Sequence, residues 1–293
     1  MRPPSLRADP LRLRIVASLD LAAASGIALR ADSLYVIADD ELDLAVYTQQ
    51  GLRTGSISLQ SGVLPEDGAE RKAHKPDFEA LFALPDGSLL VLGSGSTARR
   101  MRGAWICFEH EASTVHPIDL SGLYAALLRE HPELNIEGGA VLHDVVYLCS
   151  RGNGSLGDNA LIRLSLAQMR ETLARSHALS ADSVLGTNRV TLGELAGTAL
   201  SLTDLAVVGD RLLFAAAAEA SPNTYDDGVC AGSVLGTLTV AGQVGVAAAV
   251  TPQLKIEGVC ARPGGGADSL LLVADADDRA ARAPLLAADW MRD

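Results

Sequence analysis

The chain has 293 residues, 48% of them hydrophobic and only 4% aromatic, with a formal net charge of −12. This is enough apolar residue for a full core, and the length allows one large domain or two. The acidic balance argues against a nucleic-acid polymer or an anionic membrane surface as the main partner, since both require basic patches, and it is compatible with a cation site.

The N-terminal stretch "MRPPSLRADPLRLRIVASLDLAAA" has early arginines, but Arg14 and Asp20 interrupt any apolar core, so no secretory signal is expected. No apolar run approaches the length of a membrane span. Cys107, Cys149, Cys230 and Cys260 stand singly with no CxxC pair, which reads as free thiols in a reducing compartment. The expected location is the cytoplasm of a bacterium-like cell.

In chain order, five stretches echo one another. They are "ASGIALRADSLYVIADDE", "FEALFALPDGSLLVLGSGS", "IEGGAVLHDVVYLCSRGN", "LTDLAVVGDRLLFAAAAE" and "IEGVCARPGGGADSLLLVADAD". Each sets a polar residue before a short apolar strand, then a Gly/Asp turn, then a second strand ending in small or polar residues, which is a hairpin signature. The anchor positions Ser25, Glu79, Glu137, Thr203 and Glu257 are spaced 54, 58, 66 and 54 residues apart. Third strands follow in "LDLAVYT", "GAWICFE", "NALIRLSL", "SVLGTLTV" and "RAPLLAAD", and fourth strands in "RTGSISLQ", "STVHPIDL" and "GQVGVAAAV".

Four strands at this period predict one all-β domain over residues 1–293, a five-bladed β-propeller with four-stranded blades. The last copy runs out of chain before a fourth strand, so the N-terminal "LRLRIVASLDL" is expected to complete it and close the ring. An open β-sandwich and a six-bladed ring with one degenerate blade are the alternatives. The tract "AAAAEA" has helical propensity, but its place in the repeat makes it strand. Two inserts, 121–135 and 165–176, have helical spacing, with Ser121 and Ser165 as caps.

The first strand of a propeller blade lines the central channel, so the five anchors should meet around one axis. Converging carboxylates repel and are costly to desolvate, so water, a proton or a cation must relieve Glu79, Glu137 and Glu257. An all-oxygen set suits a hard cation such as Ca²⁺, and no His/Cys set converges to suit Zn²⁺. Two positions earlier lies a second ring of Ala23, Asp77, Asn135, Ser201 and Lys255, in which Lys255 could itself neutralise a carboxylate. Water with Lys255 and a bound cation both remain open for the axis. In "HKPDFEALF", Lys75, Asp77 and Glu79 alternate, which places them on one wall leading to a mouth.

The second-strand exits "ADDE", "GSGSTARRMR", "SRGNGSLGDN", "EASPNTYDDG" and "ADADDR" should form one rim, where propellers display function. Arg99, Arg100, Arg102 and Arg151 could bind an anion there, with Lys75 and Lys255 nearer the axis. Asp39, Glu219, Asp226, Asp275 and Asp277 could orient a ligand or water. Asp39, Arg151 and Glu219 are the candidates for catalysis. "GSGS" is no nucleophile elbow, since no helix follows it.

At these residues the chain resembles the calcium-activated nucleotidases, or apyrases, which are five-bladed propellers with a central Ca²⁺ held in the order Ser, Glu, Glu, Ser, Glu. Here the order is Ser25, Glu79, Glu137, Thr203, Glu257, with Ser201 as an alternative fourth ligand. The "IEGV" and "FEAL" starts are also similar to bacterial phytase-like and SdiA-regulated propellers. The resemblance implies a Ca²⁺ ring, and it implies Arg151 as a phosphate-binding arginine and Asp39 and Asp40 as the paired acids. It departs at Glu41, Ser96 and about Ala217, where the family carries cations. The expected function is therefore a monomeric propeller that binds a divalent cation in its channel and a small molecule or protein at its rim. The alternatives are a Ca²⁺-dependent nucleotidase or other phosphohydrolase, and a lactonase- or esterase-like hydrolase.

Overall fold

The computed structural model describes residues 6–110, 112–152, 157–220, 229–262, 269–276, 278 and 280–290. Five sheets stand around one axis, each built on four antiparallel strands; in four of them these run in sequence order from the inside out, in the last the outer strand comes from the N-terminal segment, and the sheet of Thr198–Val208 also carries the two-residue strands Glu194–Leu195 and Leu11–Arg12. The inner strands are Ala24–Arg30, Phe78–Ala83, Ile136–Leu142, Thr198–Val208 and Lys255–Ala261, the first strands of blades 1 to 5. Each packs against the inner strands on both sides, and blade 5 returns to blade 1. The chain is thus the five-bladed, four-stranded propeller that the repeat predicts, not a six-bladed ring or a sandwich.

Closure follows the expected route. Arg14–Ser18 pairs antiparallel with Pro284–Asp289 and becomes the outer strand of blade 5. Just before it, Leu11–Arg12 adds in parallel to the outer strand of blade 4, Val244–Thr251, so one segment ties two blades.

The apolar runs of the second strands are continuous because these strands are buried on both faces. Leu89 and Val91 pack towards blade 1, whereas Leu90 and Leu92 pack towards blade 3. Leu270 and Leu272 face blade 4, while Leu271 and Val273 face blade 1. Strand alternation therefore feeds two interfaces from one strand, and each of the five apolar clusters fills one gap between neighbouring blades. The alanine tract lies within the strand Arg211–Glu219, completely buried, as the repeat requires.

Three helices decorate this frame. Helix α1 covers Gly68–His74, α2 Ser121–Leu127 and α3 Leu166–Ser176. The last two lie over the gap between blades 2 and 3 through Leu123, Tyr124, Met169 and Leu173. Ser165 caps α3, accepting from the Gln168 amide at 3.4 Å. Ser121, by contrast, is the first residue of α2, and it is Asp119 that accepts its amide at 2.9 Å. Helix α2 is shorter than the spacing suggests, since Pro132 cannot continue a helix. The sequence reading missed α1 and the outer strand of blade 3, Val184–Val190, whose Gly-and-polar composition carries little alternation.

Every inner strand carries one bulge, and the unpaired residue falls at Ser25, Glu79, Glu137, Thr203 and Glu257 in turn. Directly after the bulge the strands converge, and the positions are Gly26, Ala80, Gly138, Asp204 and Gly258. A Cβ on Gly138 would meet the Asp204 carboxylate at 2.3 Å, so glycine there makes room for it. Asp204 is 1% exposed and accepts the Val259 amide of blade 5 and its own following Leu205 amide, both at 2.7 Å. Burial drives its pKa well above the ordinary value, against the pull of these amides.

Asp204→Ala strands two buried amides, each costing about 1–3 kcal/mol. Urea unfolding should show a loss of roughly 3 kcal/mol by the same principle, and a loss within experimental error would mean that Asp204 does not lock the strands.

Candidate functional site

The bulges turn their side chains out of the sheet register, as bulges do. Ser25, Glu79, Glu137 and Glu257 reach the wall of one axial cavity, open at the end where the second strands exit. Thr203 is wholly buried and is not on that wall. The two hydroxyls of the ring stitch blades: Ser25 Oγ donates to the Phe78 carbonyl at 2.6 Å and Thr203 Oγ1 to the Ile256 carbonyl at 2.7 Å. Of the second ring, Ala23, Asp77, Asn135 and Lys255 line the cavity and Ser201 does not.

A run of backbone hydrogen bonds fixes half of the mouth. Asp39 N donates to Ala23 O, Asp77 N to Asp39 O, Ser94 N to Asp77 O, Ile136 N to Ser94 O and Arg151 N to Asn135 O, at 3.3, 3.1, 3.0, 2.8 and 2.8 Å. This run sets Asp39, Asp77 and Arg151 at fixed heights around the axis.

The acids and bases then sort into two groups. On one side Arg151 is shared by Glu137 at 3.4 Å, Glu257 at 3.7 Å and Glu219, which lies closest. Lys255 joins the same group, 3.3 Å from Glu257, 3.5 Å from Glu219 and 3.9 Å from Asp275. Asn135 Nδ2 donates to the remaining oxygen of Glu137. On the other side Lys75 bridges Asp39 and Asp77, the latter at 3.0 Å, while Arg100 holds Asp77 at 2.8 Å and Ser94 Oγ donates to it at 2.5 Å. The side chain of Glu79 makes no hydrogen bond or ion pair with a described residue, yet its oxygen lies within 4.8 Å of those of Asp39 and Asp77.

The electrostatics follow. Burial holds the Glu79 carboxyl well above the ordinary glutamate range, reinforced by Asp77, Glu137 and Asp39 and opposed by Lys75. Burial raises Asp39 to about 6 against the pull of Lys75, with Asp77 adding to the rise. Burial likewise raises Glu137 to about 8, with Arg151 pulling down and Glu257 pushing up. Burial tends to discharge Lys75 and Arg151, but the carboxylates around each outweigh it and hold both firmly protonated.

Among the residues expected at the rim, Lys75, Arg100, Arg151 and Lys255 line the cavity, each engaged by carboxylates. Glu219 lies behind the wall against Arg151. Arg99 and Arg102 are exposed and lie off the wall. Asp226 and Asp277 fall outside the described residues. One expectation is corrected: Lys75 and Asp77 do not precede Glu79 along a strand. Lys75 ends α1, Pro76 stops the helix, and Asp77 has a φ of 57°, so the strand starts only at Phe78. The alternation in "HKPDFEA" mimicked a strand where a helix end and a left-handed residue bring the same side chains together. Asp204 went unrecognised because it sits one residue past the anchor, among apolar neighbours.

A second groove adjoins the cavity. It shares Ala23, Asp39, Lys72, Lys75 and Asp275 with it, and is completed by Ala22, Asp40, Gly68, Arg71 and Asp278.

Five four-stranded blades closed around a charged axial cavity define a five-bladed β-propeller. Residues 20–289 match the family described as "Family of unknown function (DUF6929)", and the chain belongs to that family. No curated protein matches the sequence. Among solved structures, the Myxococcus xanthus glutaminyl cyclase superposes with a TM-score of 0.55 at 11% identity, over 97% of this chain and 100% of that one. A calcium-binding protein, regucalcin from Agrobacterium tumefaciens, gives a TM-score of 0.48 at 11% identity, over 97% of each chain. The likeness to the cyclase is one of fold, and it does not show a nucleotidase relationship. No helix among the described residues is long and apolar enough to cross a membrane.

A carboxyl with a raised pKa stabilises the folded state below its unfolded value, and that contribution disappears as pH rises through the folded value. In chelator, the melting temperature should therefore fall from pH 5 upward, and fall less in Glu79→Gln, which keeps the neutral form. Parallel pH profiles for the two proteins would show that Glu79 is not held protonated.

Proposed function

We propose that the protein is a binding propeller whose channel takes a hard divalent cation of the calcium class at Asp39, Asp77 and Glu79. The observation that carries this is the convergence of the three carboxylates, with oxygens all within 4.8 Å of one another and Glu79 otherwise unengaged. Charge balance supports it. When all are ionised, Asp39, Asp77, Glu79, Glu137, Glu219, Glu257 and Asp275 are seven acids against the five bases Lys72, Lys75, Arg100, Arg151 and Lys255, a deficit of two among the described residues that protons on the raised carboxyls otherwise offset. One divalent ion matches that deficit. All donors are oxygen, and no histidine or cysteine lines the cavity, which favours calcium-class over zinc-class chemistry.

Of the expected five-residue ring, Glu79 supplies a ligand directly in this reading. Glu137 and Glu257 are neutralised by Arg151 and Lys255, and Ser25 closes the wall beside Glu79. The adjoining groove, with its small apolar residues and its Asp40, Arg71, Lys72 and Asp278 side chains, seats a small polar ligand at the rim. Binding is favoured over phosphoryl chemistry because Lys75, Arg100, Arg151 and Lys255 are held by carboxylates rather than poised for a phosphate.

Calorimetric titration of chelator-treated protein with Ca²⁺ should give a saturable heat and raise the melting temperature. Glu79→Gln should weaken binding by about tenfold or more, the scale of losing one charged ligand. No heat and no stabilisation at millimolar Ca²⁺ would end this reading.

A further inference from the structure

Helix α1 partitions the cavity from the groove. Lys72 and Lys75 line both spaces, and Gly68 and Arg71 line the groove. Yet none of its residues is fully buried and its two alanines, Ala69 and Ala73, are exposed, so its attachment to the blades is chiefly polar. Its internal order is local, with the Asp67 side chain accepting from the Ala69 and Glu70 amides at 3.1 and 2.9 Å. Its attachment is polar at both ends. Arg71 grips the Asp40 carboxylate at 3.0 Å, the Asp40 carbonyl at 2.5 Å and Glu41 at 3.1 Å. At the other end Arg100 donates to the Lys72 carbonyl at 3.3 Å, and the Lys75 ammonium sits between Asp39 and Asp77.

We propose that α1 is a lid latched by Lys75, and that a divalent cation in the channel releases it by taking Asp39 and Asp77 from the ammonium. This rests on the cation reading above. Both oxygens of Asp77 are already engaged, one by Lys75 and the other by Arg100 and Ser94, so an ion that takes Asp77 and Asp39 competes with the ammonium, and two adjacent cations repel. Displacing Lys75 removes the ion pairs at the C-terminal end of α1 and leaves Arg71 and the Arg100 bond to the Lys72 carbonyl as its remaining tethers. Once the latch opens, cavity and groove become one space, so the cation controls the access of the rim ligand. The same exchange makes Lys75 a built-in competitor that lowers cation affinity.

The test is limited trypsin digestion of the full chain, mapped by mass spectrometry at the bonds after Arg71 and Lys72, alongside Ca²⁺ calorimetry. The bond after Lys75 precedes proline and is not a trypsin site. Ca²⁺ should speed cleavage at the two bonds at least fivefold. Lys75→Met should cleave at that faster rate without Ca²⁺ and bind Ca²⁺ at least threefold more tightly. Glu41→Gln loosens the other tether without touching the three carboxylates or the groove wall. It should also raise cleavage while leaving Ca²⁺ affinity unchanged, which keeps the lid testable should Lys75→Met fold poorly. If Ca²⁺ binds but cleavage is unchanged or slowed, the latch is overturned and the cation reading stands. If no Ca²⁺ heat is seen, the cation reading falls and the coupling falls with it, whatever the variants do.

Discussion

The constraint on which the rest depends is the bulge repeated once in every inner strand. A regular antiparallel strand sends its side chains into the two flanking interfaces, as the second strands do with Leu89 to Leu92. An inner strand must also present something to the axis, and an extra residue is how a ladder turns one side chain out of its register. Because the bulge falls at the same position in all five copies, five side chains leave the ladder at one level, four of them onto the channel wall. Two become hydroxyl stitches between blades and three become carboxylates. The space just past the bulge is so tight that it holds glycine, alanine or, once, an aspartate ordered by backbone amides.

Three carboxylates at one axis are not stable by themselves, since each loses hydration and repels the others. The chain meets this by drawing cations from different depths of the repeat. Arg151 comes from the exit of a second strand, Lys255 from the start of an inner strand, Lys75 from the end of a helix and Arg100 from a turn. Arg151, Lys255 and Lys75 each meet more than one acid. Arg151 touches Glu137, Glu219 and Glu257, so removing any one acid leaves the guanidinium paired, whereas removing Arg151 leaves Glu137 without its ion pair and Glu219 and Glu257 paired with Lys255. The pairing is nevertheless uneven. The Glu137 and Glu257 side is filled by fixed protein charge, whereas Glu79 is left with acids for its nearest neighbours. That asymmetry turns a uniform structural ring into a site with one reactive corner.

The corner is also where the fold is least consolidated. Blades 2 and 3 carry α2 and α3 packed through leucines, an aromatic and a methionine, so those helices move with the sheet. Helix α1, on the connection from blade 1 to blade 2, is held chiefly by charge. Apolar contacts are indifferent to ions, but a charged contact whose acceptors are potential metal ligands is not. The same carboxylates that organise the mouth thus determine whether it is covered.

The sequence by itself favoured five blades, and it carried the order of most strands, the closure by the N-terminal segment and the five bulged positions. All of these follow from a repeat whose period and alternation are set by local backbone geometry, and even the alanine tract was legible through it. What the tertiary structure alone decided is how the charges combine. Lys75 and Asp77 looked like steps along a strand with Glu79, but a helix end and a left-handed residue bring them to the axis by another route. Asp39 joins them from blade 1, Thr203 turns away, and Asp204 takes up a structural role that its apolar surroundings concealed. Periodicity is a property of neighbouring residues and can be read along a chain. Which acid meets which base is a property of distances across a closed ring, and those exist only once all five blades are in place.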